Sequence, residues 1–245
     1  MSTLETRKIE PLSGTTVTLG AAGDAVTVPT GATLKSNTLK DAGGNTLWTS
    51  DGSGSLSSIN SAFSPGMVFI SSQTGTNVSS IDFTSGLSST YDEYWFVCQN
   101  YYAHTNAQEF IVMTNHTGND PISWATDSIR TFWSAEHRES GSGGAFVLQT
   151  GGYSGISSSN THLDRGLEGS SHADSSGSGI LKIFAPLSTN RVKHFTWEAC
   201  VHRHHGGPDH VFVAGYWNVT QALNAFRFKE ASGNLTATIS LYGIR

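Results

Sequence analysis

The stretch "HFTWEACVHRHHGGPDHVFVAGYWNV" (194–219) joins two apolar, strand-length runs through a connection carrying four histidines and an aspartate within nine positions. The flanking runs are rich in Val, Phe and Trp, residues that suit a pleated, half-buried surface. Between them Gly206, Gly207, Pro208 and Asp209 supply turn chemistry. The economical reading is an antiparallel hairpin at one end of a β-sandwich, with the imidazoles wet on the connection. A metal site is the competing reading. Zinc needs three or four converging N, S or O ligands, and ligands on one strand must alternate to share a face. His202 and His204 are two apart, His205 faces away from them, and His210 returns across the turn, so a His202/His204/His210 site is stereochemically allowed. A symmetric trimer offers another route, placing three copies of one histidine on its axis.

Outward from the hairpin, about ten runs of the same kind follow Phe63, from "GMVFISS" to "TATISLYGIR", each bounded by Gly, Asn, Asp or Ser. No segment holds a 3.6-residue apolar period for three turns, so helices are expected to be short or absent. The stretch "PISWATDSIRTFWSAEHRE" (121–139) has room for a helical turn or two. Regularly spaced strands without intervening helices predict an all-β fold, an antiparallel β-sandwich of jelly-roll type. The piece "TGGYSGISSSNTHLDRGLEGSSHADSSGSG" (150–179) breaks the rhythm and is expected to form long surface loops, where binding residues concentrate.

The first 50 residues differ. They hold one aromatic, Trp48, and short Gly- or Pro-separated steps such as "TTVTLG" and "DAVTVPTG" that cannot bury an apolar face alone. Such strips find their missing core in neighbouring copies, which predicts an extended, trimeric β-rich shaft over 1–50, a Gly/Ser hinge over 51–61 ("DGSGSLSSINS") and a head domain over 62–245.

Only 13 % of the residues are charged and the net charge is −5. With no basic run beyond Arg7–Lys8, no nucleic-acid partner is expected. The opening "MSTLETRKIEPLSG" has no apolar core for a secretory signal, and no stretch approaches the ~20 apolar residues of a membrane span, so synthesis in a cytoplasm without membrane insertion is expected. Cys98 and Cys200 both lie in strand-like runs and read as buried free thiols, with a mutual disulfide as the minor alternative.

The C-terminal "NAFRFKEASGNLTATISLYGIR" (224–245) reads as a β-hairpin with Phe226 and Phe228 inward, a turn at "SGN" and Ile239, Leu241 and Ile244 on the closing strand. It resembles the terminal hairpin of bacteriophage virion appendage proteins, whose jelly-roll-like domain ends in a "LYGI" strand. The segment 79–115, with "YDEY" before a buried strand, resembles the opening of that domain. The N-terminal steps are similar to thin fibre shafts of marine phages. The resemblance implies a homotrimeric fibre or spike located in the virion, held through its N-terminus by capsid, portal, adaptor or tail proteins and presenting its C-terminal domain to host-surface polysaccharide. A capsid decoration or head-fibre protein that stabilises the shell is an alternative, and a glycan-depolymerising spike is a second.

Hydrolysis needs two carboxylates across a sugar groove. The close sets are Asp164/Glu168 and Asp92/Glu93, and the latter are adjacent and expected on opposite strand faces. No Gly-x-Ser-x-Gly in a strand–turn–helix setting supports a nucleophile, and no Gly-rich phosphate loop with its lysine occurs. A non-enzymatic protein without a cofactor is therefore expected. Trp95, Trp197 and Trp217 read as core. Trp124, Trp133 and Tyr153, flanked by polar residues, together with His162 and Asp164, are candidates for stacking on sugar or lining a subunit interface.

Overall fold

The computed structural model describes residues 35–59, 66–119, 121–138, 140–141, 143–166, 175–203 and 206–245, with isolated residues 13, 25, 27, 30 and 33. The chain divides into two compact units, Met1–Ser64 and Pro65–Arg245. Most of the stretch expected to form the trimeric shaft lies outside the described residues. Within the first unit, β1 (Thr38–Lys40), β2 (Thr46–Ser50) and β3 (Leu56–Ile59) make a three-stranded antiparallel meander. Both turns are set by aspartates: Asp41 Oδ1 accepts the Asn45 amide at 2.8 Å, and Asp51 Oδ1 accepts those of Ser53 and Ser55 at 2.7 and 3.0 Å. Part of the expected Gly/Ser hinge is thus turn and strand.

The second unit is an antiparallel β-sandwich. Its strands are β4 (Met67–Val78), β5 (Ile81–Phe83), β6 (Glu93–Ala103), β7 (Phe110–His116), β8 (Ser128–His137), β9 (Gly144–Gln149), β10 (Gly155–Ser157), β11 (Thr161–His162), β12 (Gly177–Phe184), β13 (Lys193–His202), β14 (Pro208–Trp217), β15 (Leu223–Glu230) and β16 (Leu235–Ile244). The large sheet runs β10-β8-β14-β13-β12-β6-β16-β4, with β9 also paired on β8; the small one runs β11-β7-β15-β5. No α-helix occurs among the described residues. Where a helical turn had room, 121–139, the chain forms β8, because Ser128, Arg130, Phe132 and Ser134 alternate inward.

The two sheets clasp an aromatic core. Phe96 on β6 meets Phe83, Phe226 and Phe228 of the small sheet at 5.0–5.1 Å, and Tyr101 stacks on Phe110 at 4.2 Å. Burial of such rings is the largest stabilising contribution a sandwich has. The hairpin expected over 194–219 is present: His202 pairs with Pro208 and Lys193 with Trp217.

Four expectations need correction. The C-terminal segment 224–245 is no hairpin. Strand β15 pairs with β5 and β7 in the small sheet and β16 with β4 and β6 in the large one, so the turn arches between layers. Phe226 and Phe228 then face Ile239 and Leu241 across the core, which two strands of one sheet cannot do; Ile244 points outward. The stretch 150–179 is not simply loop. Gly177 and Gly179 open β12 because a Cβ there would collide with the inward rings of Tyr101 and Trp197. Third, Trp197 and Trp217 are buried as expected, but Trp95 lies on the outer face, its indole donating to Glu93 under the Lys182 ammonium at 4.5 Å. Last, of the two thiols expected to be buried and free, Cys98 is so, whereas Cys200 is free but exposed because the alternation of β13 turns it to the outer face.

Candidate functional site

The outer face of the large sheet is concave where three causes coincide. Beside β6 the pairing of β12 skips from Tyr101 to Cys98, and beside β4 the pairing of β16 skips from Val78 to Gly75. Each skip is a bulge carrying an asparagine in the left-handed region, Asn100 (φ 47) and Asn77 (φ 54). Asparagine tolerates this conformation better than most residues, and bulges bend and twist the strand that holds them. Neighbouring hydroxyls take up the freed amides: Asn100 N–H donates to Ser178 Oγ at 3.1 Å and Asn77 N–H to Thr236 Oγ1 at 2.9 Å. The short outward side chains of Ser178 on β12 and Cys200 on β13 leave space beside the β6 bulge.

Two grooves result. The larger, about 640 Å³, is lined by Gln99, Asn100, Ser178, Glu198, Cys200 and His210 and also by the apolar residues Val97, Ile180 and Ala199. The smaller, about 300 Å³, is lined by Thr74, Tyr102, Ser175, Ser176, Thr236 and Thr238 and shares Gln99 and Asn100 with the first. Glu198 is the sole carboxylate and His210 the sole ionisable base among the described lining residues; His210 Nε2 lies 3.1 Å from Glu198 Oε1. The site offers hydroxyl and amide donors and acceptors on a rigid scaffold, chemistry suited to a neutral polyhydroxylated ligand.

The histidines of the turn behave differently. His210 and His202 both lie on the outer face of the hairpin, with His210 in this groove and His202 Nδ1 2.6 Å from Ser175 Oγ. His204 lies outside the described residues. Among the described residues no group of three His, Cys, Asp or Glu is arranged to hold a metal ion.

The other candidates scatter over three regions. Trp133 sits on the outer face of β8, stacked on Phe212 at 4.4 Å and opposite the exposed Leu148. Trp124 covers the small sheet, with the Arg227 guanidinium 4.4 Å above its ring and held by both oxygens of Asp82 at 2.8 and 2.6 Å. Tyr153 and His162 come together half-buried, and Asp164, two residues on from His162, is buried. Tyr153 packs edge-on against Phe132 and donates to Glu109 at 3.1 Å, and His162 lies 5.8 Å from its ring. Burial, and then the charge of Arg130, hold the imidazole below its usual range. Asp164 is buried; its Oδ1 accepts the amides of Phe110 and Gly166 at 2.7 and 3.1 Å. It therefore fastens the segment 161–166 along β7 and is closed off from the surface.

Phe110 also pairs with Glu230, so two buried carboxyls flank it. Both oxygens of Glu230 and Oδ2 of Asp164 lack hydrogen-bond partners. Burial pushes the Asp164 carboxyl up to about 7 and Glu230 well above the usual carboxylate range. Beyond them Arg165 and Arg203 clamp Glu136 at 2.7 and 3.1 Å, and Arg165 reaches Asp209 at 3.0 Å.

Of the groove residues, only His210 was singled out from sequence as a ligand. The others carried a weak signal: asparagine interrupting a strand at "CQNYY" (98–102), and alternating glycines at "GSG" (177–179). Comparison with family models, with curated proteins and with solved structures finds no match to the chain.

Proposed function

We propose that the chain is a non-enzymatic attachment protein of a bacteriophage virion, a homotrimeric fibre or spike that binds host-surface glycan through the outer face of its large sheet. The observation that carries the binding half is the depression at the Asn100 bulge, where hydroxyls and amides stand beside the apolar side chains of Val97 and Ile180, as at many sugar-binding faces that pair hydrogen bonds with apolar contact. Its one described carboxylate, Glu198, has no acidic partner across the groove, which supports adhesion over glycosidic cleavage, since cleavage needs two. The virion half rests on the sequence resemblance of the 79–115 segment and of the closing "LYGI" strand alone, because the hairpin setting expected for that strand is replaced by an arch between sheets. Oligomerisation fits the first unit, whose three-stranded sheet leaves Leu39, Leu56 and Ile59 exposed. Three weak sites on one body gain avidity from effective concentration.

A glycan array probed with the full chain, followed by a reducing-end assay on the bound glycan, tests the reading. Binding without release is expected. Absence of any glycan binding overturns adhesion, and release of new reducing ends replaces it with depolymerisation. A monomer by native mass spectrometry at high concentration removes the trimer.

The decoration reading keeps one specific support. Phe146, Leu148 and Ile156 along the β9/β10 edge are 76, 61 and 76 % exposed, a row suited to contact with another protein.

A further inference from the structure

We infer that the two grooves form one trough that holds an internal stretch of a linear, uncharged polysaccharide, several sugars long, and not a terminal monosaccharide. This rests on the glycan-binding reading and adds the length and charge of the ligand.

The grooves meet at Gln99 and Asn100. Their linings come from β14, β13, β12, β6, β16 and β4, six consecutive neighbours in the sheet. Five strand spacings of about 4.8 Å make a path of roughly 24 Å running across the strands. One sugar ring covers a fraction of that length. A chain lying across the strands meets a fresh set of side chains at every step, from His210 and Glu198 at one end to Thr238 and Thr74 at the other. Among the described residues the β4 end of the lining is not closed off: Thr74 Oγ1 and Thr238 Oγ1 lie 3.0 Å apart on an exposed face.

The charge follows from the lining. Among its described residues no lysine or arginine is present to meet a uronate or sialate carboxylate, while Glu198 repels one; the chain as a whole is at −5. Side-chain hydroxyls and amides can both donate and accept, as sugar hydroxyls do. An extended peptide is the poorer fit, because peptides are captured at sheet edges or in apolar pockets, and this trough lies on the face of strands already paired on both sides except β4.

The test uses the full chain and a ladder of one to six rings cut from the polysaccharide that the array selects, titrated by calorimetry. Affinity is expected to rise at least about tenfold from one ring to four as successive rings engage together, and then to level off. Thr238→Val at the far end should weaken the longest member severalfold and leave the two-ring member unchanged, while Gln99→Ala at the junction should weaken every member beyond two rings. Equal affinity for one ring and six, or selection of an anionic polysaccharide by the array, overturns the inference while leaving adhesion intact. Failure of every glycan, neutral or charged, removes adhesion itself.

Discussion

The trough on the outer face and the buried end around Asp164 are both rich in polar side chains, yet they use them in opposite ways. In the trough most polar atoms stand near water and bond to one another, as Thr74 does to Thr238, or to an amide released by a bulge, as Ser178 does to that of Asn100. At the buried end Asp164, Glu230 and Asp209 are removed from water, where a charge is tolerated only when paired. Asp209 is paired with two arginines; Asp164 and Glu230 have no cation in hydrogen bond, and burial raises both above the usual carboxylate range, Asp164 to about 7. Polar groups on the face are available for binding, and polar groups at the end set stability.

Asp209→Asn strikes this contrast hardest. It leaves Arg165 and Arg203 short of a buried counter-charge and should cost about 3–5 kcal/mol in chemical denaturation. If the loss is under 1 kcal/mol, the buried end is wetter than described. Next comes pH. Because the folded-state pKa of Asp164 is raised to about 7 from 3.8, the stabilisation is fully present below pH 3.8 and lost as pH rises through about 7. Stability should fall by about 2–3 kcal/mol between pH 5 and 8, with Glu230 adding in the same direction. Asp164→Asn, which keeps an acceptor for the Phe110 and Gly166 amides, should flatten that slope; an unchanged slope assigns it elsewhere.

On the face, Asn100→Ala should cost about 1 kcal/mol because alanine is strained at φ 47, and Asn100→Gly should recover it while both lose the amide that lines the trough. Equal stability of the two variants would mean that the bulge is not the source of the depression. The smallest effect separates the thiols. Cys200 should label with a maleimide in the native protein without changing its melting temperature, whereas Cys98, buried and with its thiol pKa pushed up by burial, should label only on unfolding.

Much of the fold was legible because strand periodicity is local. The run 194–219 carried its turn chemistry at Gly206–Asp209, and the structure pairs its two arms directly. The arch at 231–234 carried equally good turn signals, but whether a turn joins neighbours in one sheet or crosses to the facing sheet depends on which partners its strands find, and those lie far away in the chain. The site was less legible. Trp133 and His210 lie on the outer face as exposed residues can, whereas Asp164 looked like a loop carboxylate and is fastened inside by the Phe110 amide. The bulges at Asn77 and Asn100 that shape the trough are defined by mismatched pairing between strands, which a single strand cannot display.

By itself the sequence determined an antiparallel, helix-poor chain, a sandwich domain after a compositionally distinct first segment, and a surface of hydroxyls and amides instead of ions, because each follows from side-chain chemistry and period-2 alternation within a few residues. Tertiary structure alone decided which layer each strand joined, which carboxyls were buried with their pKa raised and where the outer face became concave. Those outcomes depend on contacts between residues as distant as Asn100 and Ser178 or Phe110 and Asp164, and on the burial that only a completed core imposes.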